Sequence, residues 1–477
     1  MTKARAADID DLRSRFAAHG QEHVFAFWDE LDAGSRTALG SQAARIAEEL
    51  GDLILARDKA LGQTDDERGP AIEPVDAIEL PRDGGDSTRF EAARARGEAM
   101  LADGRVAAFV VAGGQGTRLG FDAPKGAYPV GPVTDRSLFA IQAQKIRGLI
   151  RRLGRPVPWY VMTSEATDAE TRALFEAENH FGLSENDVWI FPQAMVPAFD
   201  FAGRLILEAP HRIFESPDGH GGSLTALAAS GALDDMERRG IDTIFYYQVD
   251  NPLVRIGDPV YLGFHDERSA EMSCKVVRKI DPMEKVGIVA RVDGDVGIVE
   301  YTELDDERRF ARNEAGELLY WAGNLAIHVL NTGFVRRVSE RAFELLPFHA
   351  SAKKIPCIDA EARLATPEEP NGVKLERFVF DALASAKQVC VLEASAKDEF
   401  SPIKNATGND SPDSCRQDLT AQYRRWLESA GTEVAADIQQ IEIDHSIIDG
   451  PEDAAKAAFR NVAEAGDVIR VASGMGQ

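Results

Sequence analysis

Cysteine is scarce: Cys274, Cys357, Cys390 and Cys415 are the only four in 477 residues, far apart and without CxxC spacing. Neither a disulfide framework nor a zinc site is indicated, and a reducing, cytoplasmic compartment fits. Long apolar runs are missing as well. No stretch approaches the roughly 20 continuous apolar residues of a membrane span. Lys3 and Arg5 are followed at once by Asp8, Asp10 and Asp11, where a signal peptide needs an apolar run. Positive charge is in deficit, with 54 Lys and Arg against 79 Asp and Glu and a net charge of -25 at pH 7. Such a surface repels phosphate polyanions, which argues against nucleic acid as a partner. A small anion would need a local cluster of Arg, Lys and backbone N–H groups. Composition leaves the oligomeric state open between monomer and weak homodimer.

What is present is the profile of a globular enzyme, 44% apolar and 28% charged. At roughly 150 residues per domain the length predicts two or three units. Residues 1–102 read as a helical N-terminal region: apolar residues recur at helical spacing from Ile9 to Leu61, a Gly- and Pro-rich linker runs from Gly62 to Asp86, and a helix covers Arg89 to Ala102. In residues 103–402 the run Val106 to Val111 predicts a strand buried on both faces. Further strands are expected at Trp159–Met162, Val188–Phe191 and Ile244–Val249, alternating with helices at Ser137–Leu153, Ala166–Asn179 and Leu224–Arg239. That order implies a doubly wound α/β core. Residues 403–477 read as a small C-terminal α+β domain, with a helix over Ser414–Ala430 and β-prone pieces at Ile441–Ile448 and Val468–Val471.

The strongest chemical signal is Val111-Ala112-Gly113-Gly114-Gln115-Gly116-Thr117-Arg118-Leu119-Gly120, followed by Pro124-Lys125-Gly126. It begins where a buried strand ends. There, glycines let the backbone approach a ligand closely, and successive N–H groups can point at phosphate oxygens. Arg118 and Lys125 add full charges. A Walker A loop is excluded because Gly-Lys-Ser/Thr is missing, and the dinucleotide fingerprint because Leu119 stands at its third glycine. Asp250 follows the Ile244–Val249 strand, which puts a carboxylate at the sheet edge where ligands collect.

The Gly-Gly-x-Gly-Thr-Arg-Leu-Gly plus Pro-Lys pattern resembles the signature of UTP-dependent sugar-1-phosphate uridylyltransferases. The resemblance continues through Phe181-Gly182-Leu183, Pro217-Asp218-Gly219, Val249-Asp250-Asn251, Val299-Glu300-Tyr301, Ala322-Gly323-Asn324, Lys353-Lys354-Ile355-Pro356, Pro370-Asn371-Gly372 and Phe400-Ser401-Pro402-Ile403-Lys404-Asn405. In this order the motifs resemble eukaryotic-type UDP-N-acetylglucosamine pyrophosphorylases over Gln21 to Asn405. The resemblance implies a Rossmann-like nucleotidyltransferase with a mixed, mostly parallel sheet. It also implies UTP and a sugar 1-phosphate as partners and Mg2+ as cofactor.

By the same resemblance, Val111, Ala112, Gly113 and Gly114 cradle the nucleotide, Lys125 and Lys374 face its phosphates, and Gln193 and Gly219 take the uracil side. Asp250 holds the metal, a hard oxygen ligand suited to Mg2+. Gly287, Glu300, Tyr301 and Asn324 belong to the sugar side, and Lys404 to both the sugar and the reacting phosphates. One position departs from the pattern. His220 stands where N-acetylglucosamine enzymes carry Asn, and Gly219-His220-Gly221 resembles the loop of UDP-glucose and broad-specificity enzymes. The expected reaction is displacement at the α-phosphorus of UTP by a sugar phosphate oxygen, with Arg118, Lys125 and Lys404 neutralising charge. Three other readings stand beside it: the same reaction with glucose or galactose 1-phosphate, a sugar-nucleotide sensor without turnover, and a nicotinamide-dependent oxidoreductase, the last disfavoured by the failed glycine fingerprint.

Overall fold

The apolar run Val106–Val111 forms a strand in the interior of a ten-stranded mixed sheet. The computed structural model describes residues 9–62, 70–81, 87–456, 462–465 and 468–471. Lys3, Arg5 and Asp8, and positions 63–69 and 82–86 of the expected linker, lie outside the described residues. The chain divides into two compact units. One, the N-terminal unit, comprises Met1–Gly69, Gln193–Thr225 and Glu340–Ala382; the other, the sheet unit, comprises Pro70–Pro192, Ala226–Ser339 and Leu383–Gln477.

The strands of the large sheet are β1 (Ile72–Pro74), β2 (Val106–Val111), β3 (Trp159–Thr163), β4 (Val188–Pro192), β5 (Thr243–Gln248), β6 (Met272–Arg278), β7 (Ile288–Val292), β8 (Asp295–Val299), β9 (Ala322–Asn331) and β10 (Val389–Ala394). Their main path is β1-β7-β9-β5-β2-β3-β4, with β6 branching from β9, β10 pairing with β6, and β8 branching from β7. The run β5-β2-β3-β4 is parallel and β9 is antiparallel to β5, so the expected mixed α/β sheet is present, with its parallel strands gathered in one run and antiparallel pairing beyond it. Strands flanked on both sides and covered on both faces must be apolar throughout. Accordingly Val106 to Val110 are fully buried.

Helices α1 (Thr88–Ala102), α2 (Leu138–Leu153), α3 (Pro259–Glu267) and α4 (Pro412–Ser429) share one hydrophobic core with this sheet. Helix α2 starts where the Ser137 hydroxyl accepts the Ala140 N–H and stops at left-handed Gly154. Helices α1 and α3 touch at glycines: a Cβ on Gly97 would lie 1.9 Å from the Pro259 carbonyl, and one on Gly263 1.7 Å from that of Ala93. Residues of 403–477 join the same core through Leu419, Leu427, Ile441 and Ile469. Among the described residues no helix is long and apolar enough to cross a membrane.

In the N-terminal unit, helices Ile9–Ala17 and Ala33–Gly62 pack against Val196, Phe199 and Leu375 of small antiparallel ladders. Three expectations change. The Gly62–Asp86 stretch contributes an edge strand, β1, paired antiparallel with β7. The single helix expected over Leu224–Arg239 is two, Gly222–Ala229 and Ala232–Arg239, broken at left-handed Gly231. The β-prone Ile441–Ile448 is a strand only over Gln440–Ile443; Asp444 then turns the chain by accepting the Ser446 N–H.

Lys275 of β6 is buried, and its ammonium donates to Asp258 and to Glu399, each at 2.7 Å. Removing one charge from a buried set leaves the others uncompensated. Lys275→Met is therefore expected to cost about 3–5 kcal/mol. Urea unfolding followed by circular dichroism measures it.

Candidate functional site

The glycine loop leaves β2 at the carboxyl edge of the parallel strands. Ala112 N–H still bonds to Met162 of β3 at 2.7 Å, and the Gly113 carbonyl accepts the Ser164 hydroxyl at 2.8 Å. The chain then folds back on itself. Gly116 N–H donates to Ala123 and Lys125 N–H to Gly114, both at 3.0 Å. Gly116 has no room for a side chain, because a Cβ would lie 2.8 Å from the Phe121 carbonyl oxygen. Gly114 faces open space. The doubling-back carries Lys125 to the strand edge, while Arg118 is exposed and has no ion-pair partner among the described residues.

Asp250 lies two residues past β5, beside this loop. The β2–β5 ladder runs one step beyond the strands, with Val249 N–H donating to the Val111 carbonyl at 3.1 Å. Helix α2 fixes the same turn, as buried Gln142 donates to the Val249 carbonyl at 2.9 Å. The Lys125 ammonium then meets the Asp250 carboxylate at 3.1 Å, both mostly covered. Lys404 is brought in by backbone pairing: Ile403 N–H donates to the Asp250 carbonyl at 3.0 Å. Asn251 secures that segment from both sides, donating to the Glu399 carbonyl and accepting the Ser401 N–H.

A cavity of about 260 Å³ opens here, lined by Asp250, Gly287, Glu300, Asn324 and Lys404. Gly287 immediately precedes β7, Glu300 immediately follows β8 and Asn324 lies in β9, with Asn324 N–H bonded to the Gly287 carbonyl. A Cβ on Gly287 would come within 3.2 Å of a Glu300 carboxylate oxygen. Burial, with Glu303 nearby, holds the Glu300 carboxyl above its usual range. The Asn324 carbonyl oxygen accepts the N–H of Ala326, a left-handed residue, which leaves the amide N–H groups as donors. Tyr301 is exposed and does not line this cavity.

The remaining sequence-derived residues stand in the N-terminal unit. Met195–Pro197 pairs with Glu215–Pro217, and Asp218 N–H extends the ladder to Ala194, so Gln193 and Gly219 leave it at the same end. His220 Nδ1 accepts the Val379 N–H at 3.1 Å, and its ring lies against Phe378 and Phe380. Burial pushes that imidazole down to about 4, so the ring is neutral near physiological pH. Lys374 projects from Gly372–Glu376 over the Phe214 ring, its ammonium held below the usual range by burial despite Glu376.

Comparison with known proteins shows the family. The family model described as UTP–glucose-1-phosphate uridylyltransferase matches residues 75–424. The chain belongs to that family. As a uridylyltransferase-family chain it is 39% identical over 449 residues to UDP-N-acetylhexosamine pyrophosphorylase-like protein 1 of Xenopus tropicalis, covering 91% of this chain and 87% of the relative. It is 34% identical to the UDP-N-acetylglucosamine pyrophosphorylase of Saccharomyces cerevisiae, covering 89% and 92%. The crystal structure of the Trypanosoma brucei uridine diphosphate N-acetylglucosamine pyrophosphorylase, solved with an inhibitor, superposes with a TM-score of 0.83 at 27% identity over 99% of each chain. The uridylyltransferase chain is thus a nucleotidyltransferase. Sequence reasoning missed Lys285, which also lines the cavity and has no ion-pair partner among the described residues. Its place two residues before Gly287 was the available signal.

Proposed function

We propose that this enzyme transfers the uridylyl group of UTP to N-acetylglucosamine 1-phosphate, giving UDP-N-acetylglucosamine and pyrophosphate. The observation that carries the reading is the Lys125–Asp250 pair at the sheet edge, beside a cavity with Glu300, Asn324 and Lys404 in its wall. Planar amide and carboxylate groups suit sugar hydroxyls, each of which donates and accepts. The named relatives support the choice of sugar. Cytoplasmic location accords with four unpaired cysteines.

In the reaction, a non-bridging oxygen of the sugar phosphate forms a bond to the α-phosphorus. The bond from that phosphorus to the bridging oxygen breaks, and pyrophosphate leaves with the electron pair. No base is needed, since a phosphate monoester has a second pKa of about 6 and is ionised near neutrality. What opposes the step is repulsion between two anions. Backbone N–H groups of Gly113 and Gly114 with Arg118, Lys125 and Lys404 offset it by charge and position. In the N-terminal unit, Lys374, Gln193 and Gly219 are the nucleotide contacts that the family resemblance implies. Gly287, Glu300 and Asn324, which line the cavity, orient the sugar.

Among the described residues no group of three or more His, Cys, Asp or Glu is placed to hold a metal, which does not suit zinc or calcium. Mg2+ asks for only one or two carboxylates plus substrate phosphates, and Asp250, which lines the cavity together with Glu300 and Asp410, would meet that demand. When bound there, the ion supplies additional charge neutralisation to the phosphates.

A pyrophosphate-release assay with UTP, Mg2+ and a panel of sugar 1-phosphates tests the reading. Release with N-acetylglucosamine 1-phosphate is expected; binding of UDP-sugar with no release from any acceptor would indicate a sensor instead. Because His220 departs from the N-acetylglucosamine pattern, His220→Asn is expected to change sugar preference more than rate. Asn keeps an acceptor for the Val379 N–H, so the loop holds its shape. The ratio of kcat/KM for N-acetylglucosamine over glucose 1-phosphate should move by roughly tenfold, a size usual for a single pocket contact. As the ring is neutral, the pH profile near neutrality should not move.

A further inference from the structure

In the N-terminal unit, Gly219 and Gly221 close on the backbone of Arg377. A Cβ on Gly219 would lie 2.4 Å from the Arg377 carbonyl oxygen, and one on Gly221 2.6 Å from its carbonyl carbon. The peptide bonds interlock: Arg377 N–H donates to the Asp218 carbonyl at 2.7 Å, and Gly221 N–H to the Arg377 carbonyl at 2.8 Å. The side chains repeat the connection. Asp218 is 1% exposed and Arg377 6% exposed, with the guanidinium 3.9 Å from the carboxylate and 4.0 Å above the Phe348 ring. Both Asp218 carboxylate oxygens, and Nε and Nη2 of Arg377, are buried without a hydrogen-bond partner among the described residues. Burying charges so incompletely satisfied is costly, and a fold tolerates it where the placement itself has a use.

Arg377 lies three residues after Lys374 on the segment that continues Gly372–Glu376, and Asp218 immediately precedes Gly219. We propose that Asp218 and Arg377 are a positioning pair for nucleotide binding: together they lock the Gly219 loop to the strand bearing Lys374, so that the base-side and phosphate-side contacts are held at one separation. This rests on the uridylyltransferase reading above. Neither side chain touches the reacting atoms. The side-chain pair adds to the two backbone hydrogen bonds that already join these stretches.

A double-mutant cycle of Asp218→Asn, Arg377→Met and the double variant, read as steady-state constants, tests the pair. Each single change is expected to raise KM for UTP by on the order of tenfold, with KM for the sugar 1-phosphate unchanged and the double variant no worse than the worse single. Arg377→Lys, which keeps the charge, should recover part of the loss. Additive effects, equal rises in both KM values, or a fall in kcat at constant KM for UTP would overturn the proposal. If Asp218→Asn does not fold, Arg377→Lys decides by the same split between the two substrates. If the wild-type protein releases no pyrophosphate, the functional reading fails by itself. Calorimetric UTP binding to wild type and Asp218→Asn then judges the pair, weaker binding supporting it and equal binding refuting it.

Discussion

Lys125→Ala lowers kcat by roughly 10²–10³-fold in a pyrophosphate-release assay, the loss typical of removing one preorganised group that meets developing charge. The lysine reaches the strand edge because the loop closes through Gly114 and Gly116, so its position is set by backbone hydrogen bonds. A fixed cation neutralises phosphate charge without reorganising at the moment of reaction, which an exposed and mobile one cannot do as well. Arg118 provides the contrast: it is exposed and unpaired among the described residues, and Arg118→Ala should act more on KM for UTP than on kcat. A loss below about tenfold in kcat would remove Lys125 from the charge-neutralising set.

The β2 strand, its glycine loop and the Asp250 turn were legible in the sequence because each is local. An uninterrupted apolar run marks a doubly covered strand, and glycines at its end mark a close approach. Strands β6 to β10 were not legible in the same way. Lys275 interrupts the apolar pattern of β6, and its burial makes sense only with Asp258 and Glu399, both distant in sequence. The β7–β8 hairpin carries a genuine signal, Asp293-Gly294 with positive φ at both residues, that went unused. Consequently Glu300 and Asn324 were reached through family resemblance rather than through elements. The Gln142 and Asn251 amides that fix the Asp250 turn were out of reach, since an amide's partner cannot be known before the packing is. His220 was legible as a position but not as an environment: its bond to Val379 and its stacking on Phe378 need the fold.

Asp250→Asn separates two roles that one carboxylate holds at different moments. In the free protein its charge balances Lys125 at 3.1 Å, and an amide oxygen of the same shape can still accept from that ammonium. The variant should therefore fold normally. What it loses is negative charge at the rim of the cavity. Without metal, that charge repels the nucleotide phosphates and competes with them for Lys125, so its removal should tighten metal-free UTP binding several-fold in calorimetry. With Mg2+ the sign reverses, because a hard cation prefers an anionic oxygen to an amide. Turnover should fall by roughly 10²–10³-fold and require a higher Mg2+ concentration for half of its residual rate. A merely structural aspartate would show neither the opposite effects on binding and turnover nor the shifted metal requirement. Weaker metal-free binding together with unchanged Mg2+ dependence would mean that Asp250 serves only to hold Lys125 in place.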